Sequence, residues 1–342
     1  MTLAFASDYQ EGCHPEILEA LNKTNSEKTE GYGTDSYSAL AKAKILEACG
    51  ISNGEVYLLV GGTQTNEVVI SSFLKPYEGV IAADTGHIST HEAGAIEHSG
   101  HKVLTLKHED GKISAERIEA YCADFYADGN HEHMVHPGMV YLSQPTEYGT
   151  LYSLKELEAI REVCDKYDLY LYIDGARLAY ALASKENDVS LKDLGRLTDV
   201  FYIGGTKCGT LFGEALVVRK KDTIPHLFTL IKQHGALLAK GRILGVQFYK
   251  MFEDGLYERI AKEAIRLADR LRHGLEEKGY EQTMIAPTNQ IFISIDDKDM
   301  ADLASKVNFS FWEKKDATHT VIRFVVSWST SEEEVDALLE IL

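Results

Sequence analysis

The chain has 342 residues, 44% of them hydrophobic and 26% charged, the composition of a globular protein large enough to bury a substantial core and to divide into two unequal domains. A net charge of −18 argues against nucleic acid or an anionic membrane as a partner, because either needs a concentrated basic surface. The five cysteines, Cys13, Cys49, Cys122, Cys164 and Cys208, lack C-x-x-C spacing, and no secretory signal is legible at the start, so the expectation is a cytoplasmic protein with reduced thiols.

In chain order, P-E-I-L-E-A-L predicts a helix from Pro15, a residue suited to a first helical turn. In E-G-Y-G-T-D-S-Y, the glycines at 31 and 33 around Tyr32 mark either a loop that approaches something closely or an ordinary turn. A helix from Ser36 to about Cys49 follows, stopped by Gly50. The segment V-Y-L-L-V-G-G-T-Q-T-N-E-V-V-I-S-S-F-L then reads as a buried strand, a glycine pair and a helix. Free N–H groups at that helix start, with the hydroxyls of Thr63 and Thr65, form a cradle for an anion such as phosphate, although any strand-turn-helix shares some of this character.

The strand V-I-A-A leads into D-T-G-H-I-S-T-H-E-A-G-A. His87 and His91 share a face if helical, but H-E-x-x-H is absent and zinc is not indicated. His87 is placed either to stack on a planar ring or to serve as a structural histidine. After K-V-L-T-L comes a helix from about Ala115 to Tyr126, capped by Ser114. The tract N-H-E-H-M-V-H-P-G, with His131, His133 and His136, reads as a solvated loop and not as a metal site. The strand G-M-V-Y-L-S ends in Q-P-T-E-Y-G-T-L-Y, and S-L-K-E at 153–156 is a capping box.

Two further apolar runs, L-Y-L-Y-I-D-G-A-R and V-F-Y-I-G-G-T-K-C, predict buried parallel strands whose C-terminal ends carry Asp174 and Lys207. Ligands of open α/β sheets bind outside such ends. A carboxylate and an amine placed there suit pyridoxal phosphate, which needs a lysine for its aldehyde and an acid to keep its ring nitrogen protonated. A surface salt bridge is the plain alternative. Cys208 reads as a small apolar filler behind the lysine.

The alternation of strands and helices from about 55 to 205 implies a parallel sheet covered on both faces, and G-E-A-L-V-V is one more strand. From about 222 to 278 the pattern is helical, with a break at Gly255. Strands near 290–295 and 320–327 and helices near 299–307 and 331–341 make a small α+β unit. Arg323 lies in the apolar run T-V-I-R-F-V-V-S and needs a buried or substrate anion as partner, since an unpaired buried charge is costly.

Taken together, Ser7 and Asp8, Tyr32 and Gly33, G-T-x-x-N from Gly62 to Asn66, His87, D-G-A-R from Asp174, T-K at Thr206 and Lys207, and I-R at Ile322 and Arg323 resemble the low-specificity L-threonine aldolases of the β-eliminating lyase group. The likeness covers nearly the whole chain. It implies a fold type I, aspartate-aminotransferase-like α/β architecture: residues 1–240 as a large cofactor-binding domain, with 1–30 as an N-terminal segment reaching the active site, and 241–342 as a small α+β domain.

The resemblance also implies roles. Lys207 carries pyridoxal 5'-phosphate, Asp174 pairs with its ring nitrogen and His87 stacks on the ring; Gly62, Thr63, Asn66 and Thr206 belong to the cofactor site. Arg177 and Arg323, with Ser7, hold the substrate carboxylate, while Tyr32 and Lys232 serve a neighbouring subunit's site in a homodimer or homotetramer. Where typical members carry a loop histidine this chain has Thr146, so His87 or His91 is the side-chain candidate for base. The expected activity is cleavage of L-threonine, L-allo-threonine or related amino acids to glycine and an aldehyde. β-Elimination or transamination on the same scaffold, or a catalytically silent cofactor-binding protein, are the rivals.

Overall fold

The computed structural model describes residues 2–342. Its strands, in chain order, are β1 (Leu3–Ala4), β2 (Glu55–Leu59), β3 (Glu78–Ala83), β4 (Val103–Leu106), β5 (His136–Ser143), β6 (Tyr170–Asp174), β7 (Val200–Gly204), β8 (Glu214–Val218), β9 (Gln290–Asp296), β10 (Val307–Asn308), β11 (Ser310–Lys314) and β12 (His319–Val325). A seven-stranded sheet has the order β2-β8-β7-β6-β5-β3-β4. Its strands from β4 to β7 run parallel, and β8 is antiparallel to both of its neighbours.

Alternation along these strands divides the core in two. Met139, Tyr141, Tyr172, Val200, Tyr202 and Leu216 point to one face, where helix Gly62–Phe73 contributes Val68, Val69 and Phe73. Val140, Leu142, Leu171, Ile173, Phe201 and Ile203 point to the other, against helices such as Leu154–Tyr167. Both faces are apolar because both are covered, which is why the strands read as continuous hydrophobic runs.

Close approach decides Gly175, which follows β6. A Cβ there would lie 2.0 Å from the Tyr202 carbonyl oxygen, so only glycine lets the turn after Asp174 pack on β7. Ser153 and Glu156 form the capping box read from the sequence.

The stretch from 222 to 278 contains three helices, Leu227–Gln233, Arg242–Glu253 and Leu256–Glu277, and so breaks once more than expected. The additional break is the loop 234–241, which turns at Gly235 (φ +67°) and runs against the loop holding Tyr32. Tyr32 N–H donates to the Ala239 carbonyl at 3.2 Å, and a Cβ on Gly31 would lie 2.9 Å from that oxygen. The glycines around Tyr32 therefore serve close backbone approach.

A second sheet, β11-β12-β9, is antiparallel. β11 has no counterpart among the expected strands, because its sequence S-F-W-E-K leaves most of its side chains exposed or half-buried. The N-terminal segment joins this region: β1 pairs in parallel with β10, and the Val325 N–H donates to the Phe5 carbonyl at 2.8 Å.

Candidate active site

At the C-terminal ends of the parallel strands lies a cavity of about 730 Å³. Among its lining residues are Gly62, Thr63, His87, His91, Asp174, Arg177, Thr206, Lys207 and Arg323. Nine of the sequence-derived site residues thus come together.

Asp174 closes β6 and is buried. Its Oδ2 accepts from Tyr141 Oη at 2.6 Å and Asn66 Nδ2 at 3.2 Å; Oδ1 accepts from Ala176 N at 3.0 Å and from the Tyr202 hydroxyl. Burial alone raises its pKa, but the His87 charge and the tyrosine hydroxyls outweigh it and leave the carboxyl below its usual range. Tyr141 and Tyr202 lie on the same face of the sheet as Tyr172, whose hydroxyl donates to Asn66 Oδ1 at 2.6 Å. Asn66 is buried behind Asp174 and is not among the residues lining the cavity.

Lys207 follows β7 in a turn held by Gly205 and Thr206 N–H groups donating to the Gly213 carbonyl, each at 3.0 Å. Burial, with Arg177 next, lowers its pKa against the opposing pull of Asp8, Asp174 and Glu214. The shift is in the direction of the neutral amine, the form that attacks an aldehyde. Cys208 is fully buried and burial pushes its thiol up.

The anion cradle is the start of helix Gly62–Phe73, whose N-cap Gly61 offers no side chain. Thr63 lines the cavity, whereas the Thr65 hydroxyl turns back to the Gly61 carbonyl at 2.9 Å. Glu214 lines the same cavity: β8 pairs it with Leu59 on one side and Gly204 on the other. Its carboxyl accepts from Thr206 Oγ1 at 2.8 Å and Gly205 N at 3.0 Å, and burial pushes it up to about 7.

The two arginines differ. Arg177 grips buried Asp8 with Nε and Nη2, at 2.7 and 3.0 Å, leaving Nη1, and Asn289 Nδ2 donates to the same carboxylate at 3.0 Å. Arg323 donates to Gln290 Oε1 at 2.8 Å and Ser310 Oγ at 3.3 Å and lies over the Trp312 ring. Among the described residues no carboxylate pairs with it; burial and Arg177 push its pKa down to about 10. Its charge awaits an anion from the cavity.

His87 Nδ1 lies 2.7 Å from Glu92 Oε1, and the His87 and His91 rings are 5.7 Å apart between centroids. Ser7 is buried and does not line the cavity. Tyr32 and Lys232 also lie outside its lining but meet each other, with Lys232 Nζ 4.1 Å from the Tyr32 ring centroid.

Sequence reasoning assigned no role to Asp8, Glu92, Tyr141, Glu147, Tyr202, Glu214 or Trp312. Glu214 carried the clearest signal, an acid heading the apolar run G-E-A-L-V-V that charge patterning should have flagged as buried.

Thermus thermophilus aspartate aminotransferase superposes on 99% of this chain and 90% of its own, with a TM-score of 0.72 at 18% identity, a likeness of fold. An acid and an amine at adjacent strand ends on that scaffold define a pyridoxal-phosphate enzyme of fold type I. A sequence model of the β-eliminating lyases matches residues 4–298, and the chain belongs to that family. Low specificity L-threonine aldolase from a Pseudomonas species is 30% identical over 98% of this chain and 95% of its own, and the Pseudomonas aeruginosa protein of that name is 29% identical over 98% and 96%. The solved Leishmania major threonine aldolase has a TM-score of 0.96 and 41% identity, covering 99% of this chain and 98% of its own.

The donor set fits pyridoxal phosphate. Helix N–H groups suit the phosphate, ionised Asp174 suits a protonated ring nitrogen, and Lys207 suits the aldehyde.

Proposed function

We propose that this chain is a pyridoxal-phosphate-dependent aldehyde-lyase that cleaves L-threonine, L-allo-threonine or a related β-hydroxy-α-amino acid to glycine and an aldehyde. The names of the relatives support the reaction. The observation that carries the reading is that Lys207, Asp174 and Arg323 line one cavity, with Arg323 lacking a carboxylate partner among the described residues.

Bound here, the cofactor supplies the sink for the electron pair released when a bond to the substrate Cα breaks. Asp174, kept ionised by its donors, holds the ring nitrogen protonated. Gly62, Thr63 and Thr206 would hold the phosphate, and Lys207 would hold the cofactor's aldehyde carbon. Asn66 supports the site from behind by fixing Asp174. Arg323 takes the substrate carboxylate, Arg177 adds Nη1 while Asp8 fixes the rest of its fork, and Ser7 steadies that corner from outside the lining. His87 stacks on the ring, with His91 beside it on the same wall. The scissile Cα–Cβ bond is oriented by these anchors, so binding geometry selects which bond breaks.

On the same reading residues 1–240 and 241–342 are the large and small domains, the protein is cytoplasmic, and a homodimer or homotetramer places Tyr32 and Lys232 at a neighbouring subunit's site. The test is to incubate the loaded protein with threonine, allo-threonine, phenylserine and tryptophan and to quantify glycine with the matching aldehyde. Release of ammonia with the matching 2-oxo acid (2-oxobutyrate from threonine, phenylpyruvate from phenylserine, pyruvate from tryptophan) and no glycine would assign it instead to β-elimination, and amino transfer to a keto acid would assign it to transamination.

A further inference from the structure

Breaking Cα–Cβ in a β-hydroxy amino acid requires the β-hydroxyl to lose its proton as its carbon becomes a carbonyl. Several side chains in the cavity are already committed. The Thr146 hydroxyl is 2.6 Å from Thr150 Oγ1 and also accepts from the Thr150 N–H at 3.3 Å, so it serves the local turn. His87 has Nδ1 tied to Glu92. His91 is exposed and has no hydrogen-bond partner to fix its ring among the described residues. Of the lining carboxylates, Asp174 accepts four donors, Glu214 uses both oxygens, and Glu313 is exposed on β11.

Glu147 is different. It is half-buried and lines the cavity next to Thr146. One oxygen, Oε1, is fixed by Ser143 Oγ at 2.7 Å and by the His87 backbone N–H at 2.9 Å. Oε2 has no hydrogen-bond partner among the described residues. One end of the carboxylate is therefore clamped to the wall that carries His87 while the other is left for a ligand.

We propose that Glu147 is the catalytic base for the β-hydroxyl. This rests on the lyase reading above. Its Oε2 takes the proton from the β-oxygen, the O–H electron pair forms the C=O of the departing aldehyde, and the Cα–Cβ pair stays on Cα, delocalised into the cofactor. The same carboxyl returns the proton when the reaction runs in reverse. Burial raises its pKa, with Asp174 adding to the rise and Ser143, its own backbone and His87 opposing it, which moves the group toward the range of an effective base. The other titratable groups around this carboxyl include His91, Tyr141, Tyr148, Tyr152, Lys207 and Arg323.

The test compares Glu147→Gln and Glu147→Asp with wild type in four measurements: phenylserine cleavage, its pH profile, exchange of the glycine α-proton, and cofactor affinity by absorbance titration. Glutamine keeps the Ser143 and His87 contacts but cannot take a proton. The expected result is a loss of cleavage of about a hundredfold or more, with α-proton exchange and cofactor Kd within about threefold of wild type. The acidic limb of the kcat/KM profile should vanish in Glu147→Gln and survive in Glu147→Asp. Cleavage by Glu147→Gln within about threefold of wild type overturns the proposal, as does a parallel loss of exchange and cofactor binding, which marks a structural role. A wild-type protein that cleaves no β-hydroxy amino acid overturns the lyase reading instead.

Discussion

His87 Nδ1 and Glu92 Oε1 are 2.7 Å apart, and that same oxygen accepts from Asn66 Nδ2, also at 2.7 Å, while Asn66 reaches Asp174 at 3.2 Å. The Glu92 carboxylate is buried, and its other oxygen has no partner among the described residues. A buried acid against Nδ1 gives the imidazole one orientation and favours a proton on that nitrogen over its alternative tautomer. Glu92→Gln keeps the shape and removes the charge. The expected outcome is a fall in kcat/KM of at least about tenfold, together with a changed ratio of the two His87 tautomers in nitrogen NMR. An unchanged tautomer ratio would show that Glu92 does not govern the ring.

Removing the amine should remove the chromophore. Wild-type protein loaded with cofactor is expected to absorb near 420 nm, roughly as pyridoxal phosphate bound to a lysine does. Lys207→Ala should lack that band and release cofactor on gel filtration. A retained band would move the attachment to another lysine.

For Asp174, the substitution to be made is asparagine, whose one carbonyl oxygen can still accept from Tyr141 or Tyr202 but which cannot balance a protonated ring nitrogen. Cofactor should bind, and kcat should fall by at least about a hundredfold. Steady-state cleavage of phenylserine measures this, and near-normal turnover would take Asp174 out of the mechanism.

Glu214 makes the cradle sensitive to pH. With its carboxyl pushed up from 4.5 to about 7, it is mostly neutral below that value and ionised above it. The folded pKa exceeds the unfolded one, so its contribution to apo-protein stability is lost as pH rises through that window. An ionised Glu214 also opposes a phosphate dianion. Glu214→Gln and wild type should bind cofactor alike at about pH 6, whereas at about pH 8.5 the variant should bind about tenfold more tightly. Comparing the two proteins cancels the phosphate's own titration, and Lys207, whose pKa the Glu214 charge raises, is followed in each by its absorbance band. Parallel curves across this range would exclude Glu214 from the cradle.

The strands that build the large sheet were legible because each is a short apolar run that stops at a polar residue, and three of those stops, Asp174, Thr206 and Lys207, line the cavity. Arg323 was legible for the opposite reason, a lone charge inside an apolar run. Other parts depend on what the chain meets in space. Asp8 shows no sign in its own neighbourhood that Arg177 will close on it. Glu92 follows His91 and drew no reading, since its partner emerges only when the one-turn helix at His87 folds back. The extra break at 234–241 comes from contact with the Tyr32 loop, which no periodicity records. β11 escaped notice because one edge of a small sheet needs little apolar sequence.

Asp8 has a consequence for how the protein comes to be. It is bound by Arg177 near the middle of the chain and by Asn289, and the strand before it lies on Val307–Asn308. These are contacts across almost the full contour of the polypeptide, and the loop-closure entropy they carry cannot be recovered until both ends exist together. During synthesis the large sheet can form as it emerges from the ribosome, with Lys207 and Asp174 already at their strand ends. The amino-terminal segment must wait, unpaired, until the residues around 289 and 308 follow. The corner that grips a carboxylate is therefore complete only once the residues around 289 and 308 are in place.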